Sequence, residues 1–223
     1  WRWEVPERLN IAQVCCSRWA ADRSRFALYW EDESGATAKY TFWDIQREAN
    51  RLSNALAGLG VKRGDRVALI LPQRPEMAIA YMAIFQMGAI ALPLSHLFGP
   101  DALEYRMEFA GASVVFVEPT TIANLWATKG KLTQLKHVIG VGGARETGVH
   151  SYESLLEKSS SEFKPEITSS EDPALIIYTS GTTGQPKGAL HTQAAMVANI
   201  DAAIDAQGLD AKTRTLAVLP LFH

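Results

Sequence analysis

The sequence predicts an α/β protein built on a largely parallel sheet with flanking helices. From residue 66 onward, short apolar runs alternate with longer stretches of helical periodicity, the rhythm of βαβ units. A Gly/Thr-rich segment ending in lysine then follows the apolar run Ala174-Leu175-Ile176-Ile177-Tyr178, and the carboxyl ends of strands are where such sheets hold ligands. The chain has 223 residues, 47% hydrophobic and 21% charged, ordinary values for a globular protein of one large or two small domains. Lys and Arg number 22 against 24 Asp and Glu, so no basic excess points to nucleic acid or an anionic membrane as the main partner.

Residues 10–21 read as a short helix with Ile11, Val14, Cys15 and Trp19 on one face. Cys15 and Cys16 are adjacent, which disfavours a disulfide between them, and both read as reduced thiols of a cytoplasmic protein. No signal-peptide pattern precedes them, and the start at Trp1 reads as a trimmed terminus. Phe26 to Trp30 and Ala38 to Thr41 flank a polar stretch containing Gly35, a hairpin signal. Thr41 then caps the clearest helix, with Asp44 completing an imperfect capping box. Phe42, Ile45, Ala49, Leu52, Leu56 and Leu59 line one face of that helix, and Gly60 stands at its C-terminal end.

Strands are expected over 66–71, 89–94, 113–117 and 137–141, with helices opening at Pro75 and covering 101–110, 122–135 and 151–158. Residues 77–98 carry no charge and are long enough to span a bilayer. Gln86, Gly88, Pro93, Ser95 and His96 interrupt them, and a buried helix followed by a buried strand is the better account. Arg63, Asp65 and Arg66 read as a solvated charge run. Residues 159–173, rich in Ser, Glu and Pro, read as a surface connection. That connection separates a first α/β subdomain (1–158) from the start of a second α/β portion (174–223). An Ala-rich helix is expected over 192–208 and a last strand over 213–221.

The segment 179–188 carries the chemistry. Gly181, Gly184 and Gly188 let the backbone turn and bring N–H groups close to an anion; Thr179, Ser180, Thr182 and Thr183 add hydroxyl donors, and Lys187 adds positive charge. Together they suit a polyphosphate. The spacing is not that of a P-loop, because Gly188 stands where the Mg²⁺-binding Ser or Thr would be. His96, His137, His150 and His191 show no metal-ligand spacing, and no metal-ligating residues are assigned. No carboxylate pair or Ser-His-Asp arrangement can be placed from sequence.

Thr179 to Gly188 matches throughout the signature T-S-G-T-T-G-x-P-K-G, and at these residues the chain resembles the AMP-forming adenylating enzymes: acyl-CoA synthetases, luciferases and peptide-synthetase adenylation domains. Tyr40 to Ile45 and Met87 to Leu94 are similar to two further segments of that family, and the likeness extends over nearly the whole chain. The resemblance implies the N-terminal part of the acyl-CoA synthetase-like fold. It also implies ATP, Mg²⁺ and coenzyme A as cofactors, and ATP-dependent conversion of a carboxylic acid, most like a short- or medium-chain fatty acid, to an acyl-adenylate and then acyl-CoA.

By the same resemblance, Lys187 stabilises the pyrophosphate leaving group, and His223, in Pro220-Leu221-Phe222-His223, lies at the carboxylate pocket. The family's later adenine, ribose and C-terminal segments are not in this sequence. The chain is therefore expected to be a fragment, inactive alone and prone to homodimerise through an uncovered edge. An aryl-CoA ligase, a peptide-synthetase adenylation domain, a P-loop-like NTPase and a non-catalytic nucleotide-binding module remain open alternatives.

Overall fold

The computed structural model describes residues 5–179 and 184–217. Asn10 caps a short helix α1 (Ile11–Cys15), its side chain accepting from the Ala12 N–H. The expected longer helix does not form: Cys16 leaves helical geometry (φ −133°, ψ −66°), and a 3-10 turn, Ser17–Trp19, follows. Burial pushes the Cys16 thiol up to about 12, with Cys15 adding to the effect, so this cysteine stays protonated and unreactive.

Strands β1 (Phe26–Glu31) and β2 (Thr37–Thr41) form the expected antiparallel ribbon. Asp32 closes its turn by accepting from the backbone N–H groups of Ser34 and Ala36, both at 2.9 Å. The Trp30 indole donates to Gln73 O at 2.9 Å and ties the ribbon to the main body. Helix α2 (Phe42–Gly58) starts at a complete capping box: Asp44 N donates to Thr41 Oγ1, and Thr41 N donates to Asp44 Oδ2.

The described residues then build β3 (Arg66–Ile70), α3 (Pro75–Gln86), β4 (Ile90–Pro93), α4 (Pro100–Ala110), β5 (Ala112–Val117), α5 (Ile122–Thr128), β6 (His137–Gly140), β7 (Val149–Ser151), α6 (Tyr152–Glu157), β8 (Pro173–Thr179), β9 (Lys187–Thr192) and α7 (Gln193–Gln207). Seven of these strands share one sheet in the order β7-β6-β5-β3-β4-β8-β9. Every neighbouring pair is parallel except β8–β9. The α/β class and the parallel sheet are as the sequence predicts.

Both faces of the centre are buried. Val67, Leu69, Phe116 and Ile139 pack with Ile45, Ala49, Leu52 and Leu56 of α2 and with Ala80 and Ile84 of α3. Ala68, Ile70, Val115 and Val117 pack on the other side with Leu103 and Met107 of α4 and Leu125 of α5. The uncharged run 77–98 divides between α3 and β4 at Gly88 (φ +65°). Among the described residues no helix is long and apolar enough to cross a membrane.

Three expectations change. The helix expected over 122–135 shortens to α5 and a 3-10 turn, Lys129–Lys131, around Gly130, whose missing side chain favours a break. Arg66 is half-buried and bonded: its guanidinium donates to Ala110 O (2.8 Å) and Gly111 O (2.7 Å), capping the carbonyl end of α4. Residues 159–172 form no helix or strand between α6 and β8, in keeping with a surface connection, and they are tied to the body. Asn54 Nδ2 donates to Ser160 O and Glu162 O, Asn50 Nδ2 to Ser161 O, and Glu166 N to Gln86 O, so α2 and α3 satisfy this segment's backbone. Finally, 213–217 form no strand; Gln73 Nε2 holds Ala217 O at 3.1 Å, in place of a ladder. The rest of that expected strand lies outside the described residues.

Two predictions follow from this packing. Leu52 is fully buried, and Leu52→Ala is expected to lower unfolding free energy by about 2–5 kcal/mol in urea titrations. On β6 and β7, His137 Nδ1 meets His150 Nε2 at 3.2 Å, and burial, then His137, holds His150 below the usual imidazole range. The folded chain thus resists a proton that the unfolded chain accepts near pH 6.5. Stability from this group is complete above about pH 6.5 and lost as pH falls below it; His150→Gln is expected to flatten the pH dependence of the urea midpoint.

Candidate functional site

The Gly/Thr segment emerges from the carboxyl end of β8 and returns as β9, a strand with no clear signal in the sequence. The two are antiparallel, with Tyr178 opposite Gly188 and Thr179 opposite Lys187. Thr179 and Lys187, the first and penultimate residues of the segment, therefore face each other across one rung, and Thr179 Oγ1 lies 3.5 Å from Lys187 O. Thr179, Gly184, Lys187 and Gly188 are all exposed. Ser180, Gly181, Thr182 and Thr183 lie outside the described residues, as does His223.

Glycine serves two different purposes here. Gly184 has φ +117°, a conformation that side chains rarely adopt. Gly188 corrects the sequence reading, since it needs no positive φ and lies in regular strand. A Cβ there would sit 3.1 Å from Ile176 Cγ2 and 3.5 Å from the Tyr178 ring. Its bare backbone leaves room for the Tyr178 side chain across the strand pair.

Helix α4 supports this hairpin from the side. Tyr178 OH donates to Arg106 O (2.9 Å), and Tyr105 OH donates to Pro186 O (3.2 Å). The two tyrosine rings meet edge to face at 6.5 Å. Burial, and then Tyr105, raises the Tyr178 phenol to about 12, so it stays a neutral donor at physiological pH. The Arg106 guanidinium lies 4.3 Å over the Phe98 ring and 5.6 Å over that of Tyr178; burial lowers its pKa. Sequence reasoning missed Tyr105 and Arg106, whose bonds to the hairpin span 81 and 72 positions that no periodicity connects.

Of the four histidines read as unpaired with metal, His137 and His150 meet; no group of three or more His, Cys, Asp or Glu side chains among the described residues could hold a metal ion. The described part of the segment thus presents the Thr179 hydroxyl and the Lys187 ammonium, both exposed at the sheet's carboxyl edge, donor types that suit phosphate oxygens.

Compared with known families, residues 16–223 match the AMP-binding enzyme family. The chain belongs to that family. Among its relatives, acetyl-coenzyme A synthetase of Bacillus subtilis (strain 168) is 35% identical over 195 residues, covering 85% of this chain and 34% of the relative. The solved acyl-CoA synthetase of Brucella canis superposes with a TM-score of 0.87 at 26% identity, over 98% of this chain and 40% of that one. An anthranilate CoA ligase solved in complex with anthranoyl-AMP gives 0.79 at 27% identity, over 85% and 36%. The chain spans about a third of the length of the curated relatives it matches.

Gly188→Val would drive branched methyls into Ile176 and Tyr178. The expected cost is about 1–3 kcal/mol of stability in urea unfolding, with the Tyr178 environment changing in near-ultraviolet circular dichroism.

Proposed function

We propose that this AMP-binding enzyme acts in the ATP-dependent activation of a carboxylic acid to an acyl-adenylate and then to acyl-CoA. The observation that carries the reading is the pairing of the exposed Thr179 with the exposed Lys187 on one rung at the carboxyl edge of the sheet. A carboxylate oxygen attacks the α-phosphorus of ATP, and the bond from that phosphorus to the bridging oxygen breaks. Pyrophosphate leaves with the bonding electrons. Lys187 and the hydroxyls of the segment stabilise the charge that builds on the leaving oxygens, so Lys187 acts as an electrostatic stabiliser and not as a base. In the second step the coenzyme A thiol, losing its proton, displaces AMP from the acyl carbon.

Among the described residues no group of three or more His, Cys, Asp or Glu side chains could hold Mg²⁺; a magnesium ion entering with ATP would be carried largely by its phosphates. Ser180, Gly181, Thr182 and Thr183 belong with Thr179, Gly184 and Gly188 in this phosphate-binding role by the matched signature, and His223 belongs to the carboxylate pocket. The acetyl-coenzyme A synthetases among the relatives favour a short-chain acid; the anthranilate ligase keeps aryl acids in the panel. The free thiols of Cys15 and Cys16 fit a reducing compartment, and we place the protein in the cytoplasm. The P-loop alternative fits less well: that motif opens onto a helix N-terminus, whereas this segment returns as strand β9.

The test is carboxylate-dependent ATP–pyrophosphate exchange, with acids from acetate to benzoate and long-chain fatty acids, on this chain and on a form extended to the length of its relatives. Exchange in the extended form, lowered about 100-fold or more by Lys187→Ala, is the expected result. ADP formation, or ATP binding without exchange in either form, would overturn the reading.

A further inference from the structure

Lys187 needs more than a charge. A long side chain at the first residue of a strand stabilises a leaving group only if its backbone is held where the phosphates lie. Thr179, across the rung, makes a long 3.5 Å contact with the Lys187 carbonyl. The peptide just before the lysine is gripped from elsewhere: Tyr105 OH donates to Pro186 O at 3.2 Å. The Pro186–Lys187 peptide is planar, so holding that oxygen also fixes the plane containing Lys187 N and Cα. The pyrrolidine ring of Pro186 restricts the other side of the same carbonyl.

The grip is reciprocal. Tyr178 OH donates back to Arg106 O at 2.9 Å, the rings of Tyr105 and Tyr178 meet edge to face, and the Arg106 guanidinium lies over Tyr178. Helix α4 is itself anchored. Leu103 and Met107 are buried in the core, and Arg66 caps its carbonyl end. The helix therefore offers a rigid reference for the start of β9.

We infer that Tyr105 is a positioning residue for Lys187, holding the lysine's backbone against α4 so that its ammonium is presented to the phosphates. The inference rests on the adenylation reading for its catalytic consequence, and on geometry alone for the mechanical link.

The experiment separates the two. Trypsin cleavage after Lys187 is followed by mass spectrometry in the wild type, Tyr105→Phe and Tyr178→Phe, with cleavage after the exposed Arg145 as internal reference and thermal midpoints recorded alongside. Tyr105→Phe keeps the ring and removes only the hydroxyl. Cleavage after Lys187 is expected to rise about 3- to 10-fold, the population change that loss of one hydrogen bond permits, with Arg145 cleavage unchanged. Tyr178→Phe, which removes the reciprocal bond, is expected to act in the same direction. Unchanged cleavage at Lys187, or an equal rise at both sites, overturns the link whether or not nucleotide is used. In the exchange assay Tyr105→Phe is expected to raise the KM for ATP and leave that for the acid unaltered; a parallel loss for both substrates overturns the positioning role. Wild-type exchange with normal Lys187 protection in Tyr105→Phe would sink this inference and leave the adenylation reading standing.

Discussion

The structure depends on burial of strand β3 from both sides. Val67 and Leu69 face α2 and α3, while Ala68 and Ile70 face α4 and α5; all four are inaccessible to solvent. A strand so enclosed must satisfy its backbone with neighbours on both edges, and β4 and β5 supply them in parallel register. Parallel pairing in turn requires crossovers, and the helices of those crossovers are the elements that cover the two faces. The carboxyl ends of β3, β4, β5 and β8 consequently lie at one margin of the sheet, and the Gly/Thr segment leaves from that margin.

The antiparallel return of β9 gives this segment its character. In a P-loop the glycine-rich turn ends in a helix whose dipole and free N–H groups face the phosphates. Here the chain reverses into a strand, which places the first threonine and the lysine of the segment on one rung. The exposed Lys187 thereby opens strand β9, and no helix starts directly from the segment. Helix α4 bonds to the hairpin from the side, through Tyr105 and Tyr178. Gly188 makes that contact sterically feasible, because the ring opposite it occupies the space of a side chain.

Much of this was legible beforehand. The stripe Ile45, Ala49, Leu52 and Leu56 repeats at helical spacing and faces the core as expected, and Thr41 with Asp44 marks the start of α2 because capping is a local interaction. The ten-position signature singles out a candidate site, and Thr179, Lys187 and Gly188 lie where β8 turns back into β9. Strand β9 was not legible. Lys187-Gly188-Ala189-Leu190-His191-Thr192 has little alternation and weak strand preference, and it is extended because β8 offers a ladder. Arg66 looked like one charge among several; its partners, Ala110 and Gly111, lie more than 40 positions away.

The sequence by itself determined what depends on neighbours within a few positions: helix periodicity, caps, the β1–β2 turn, and a loop chemistry of hydroxyls, glycines and one lysine. Tertiary structure alone decided what depends on long-range partners: the order of strands, the clamping of 159–173 onto α2 and α3, and the reach of Tyr105 to Pro186. The physical reason is one of range. Capping and periodicity are set within a turn or two of helix, whereas strand pairing and side-chain-to-carbonyl bonds join segments whose separation along the chain leaves no trace in local pattern.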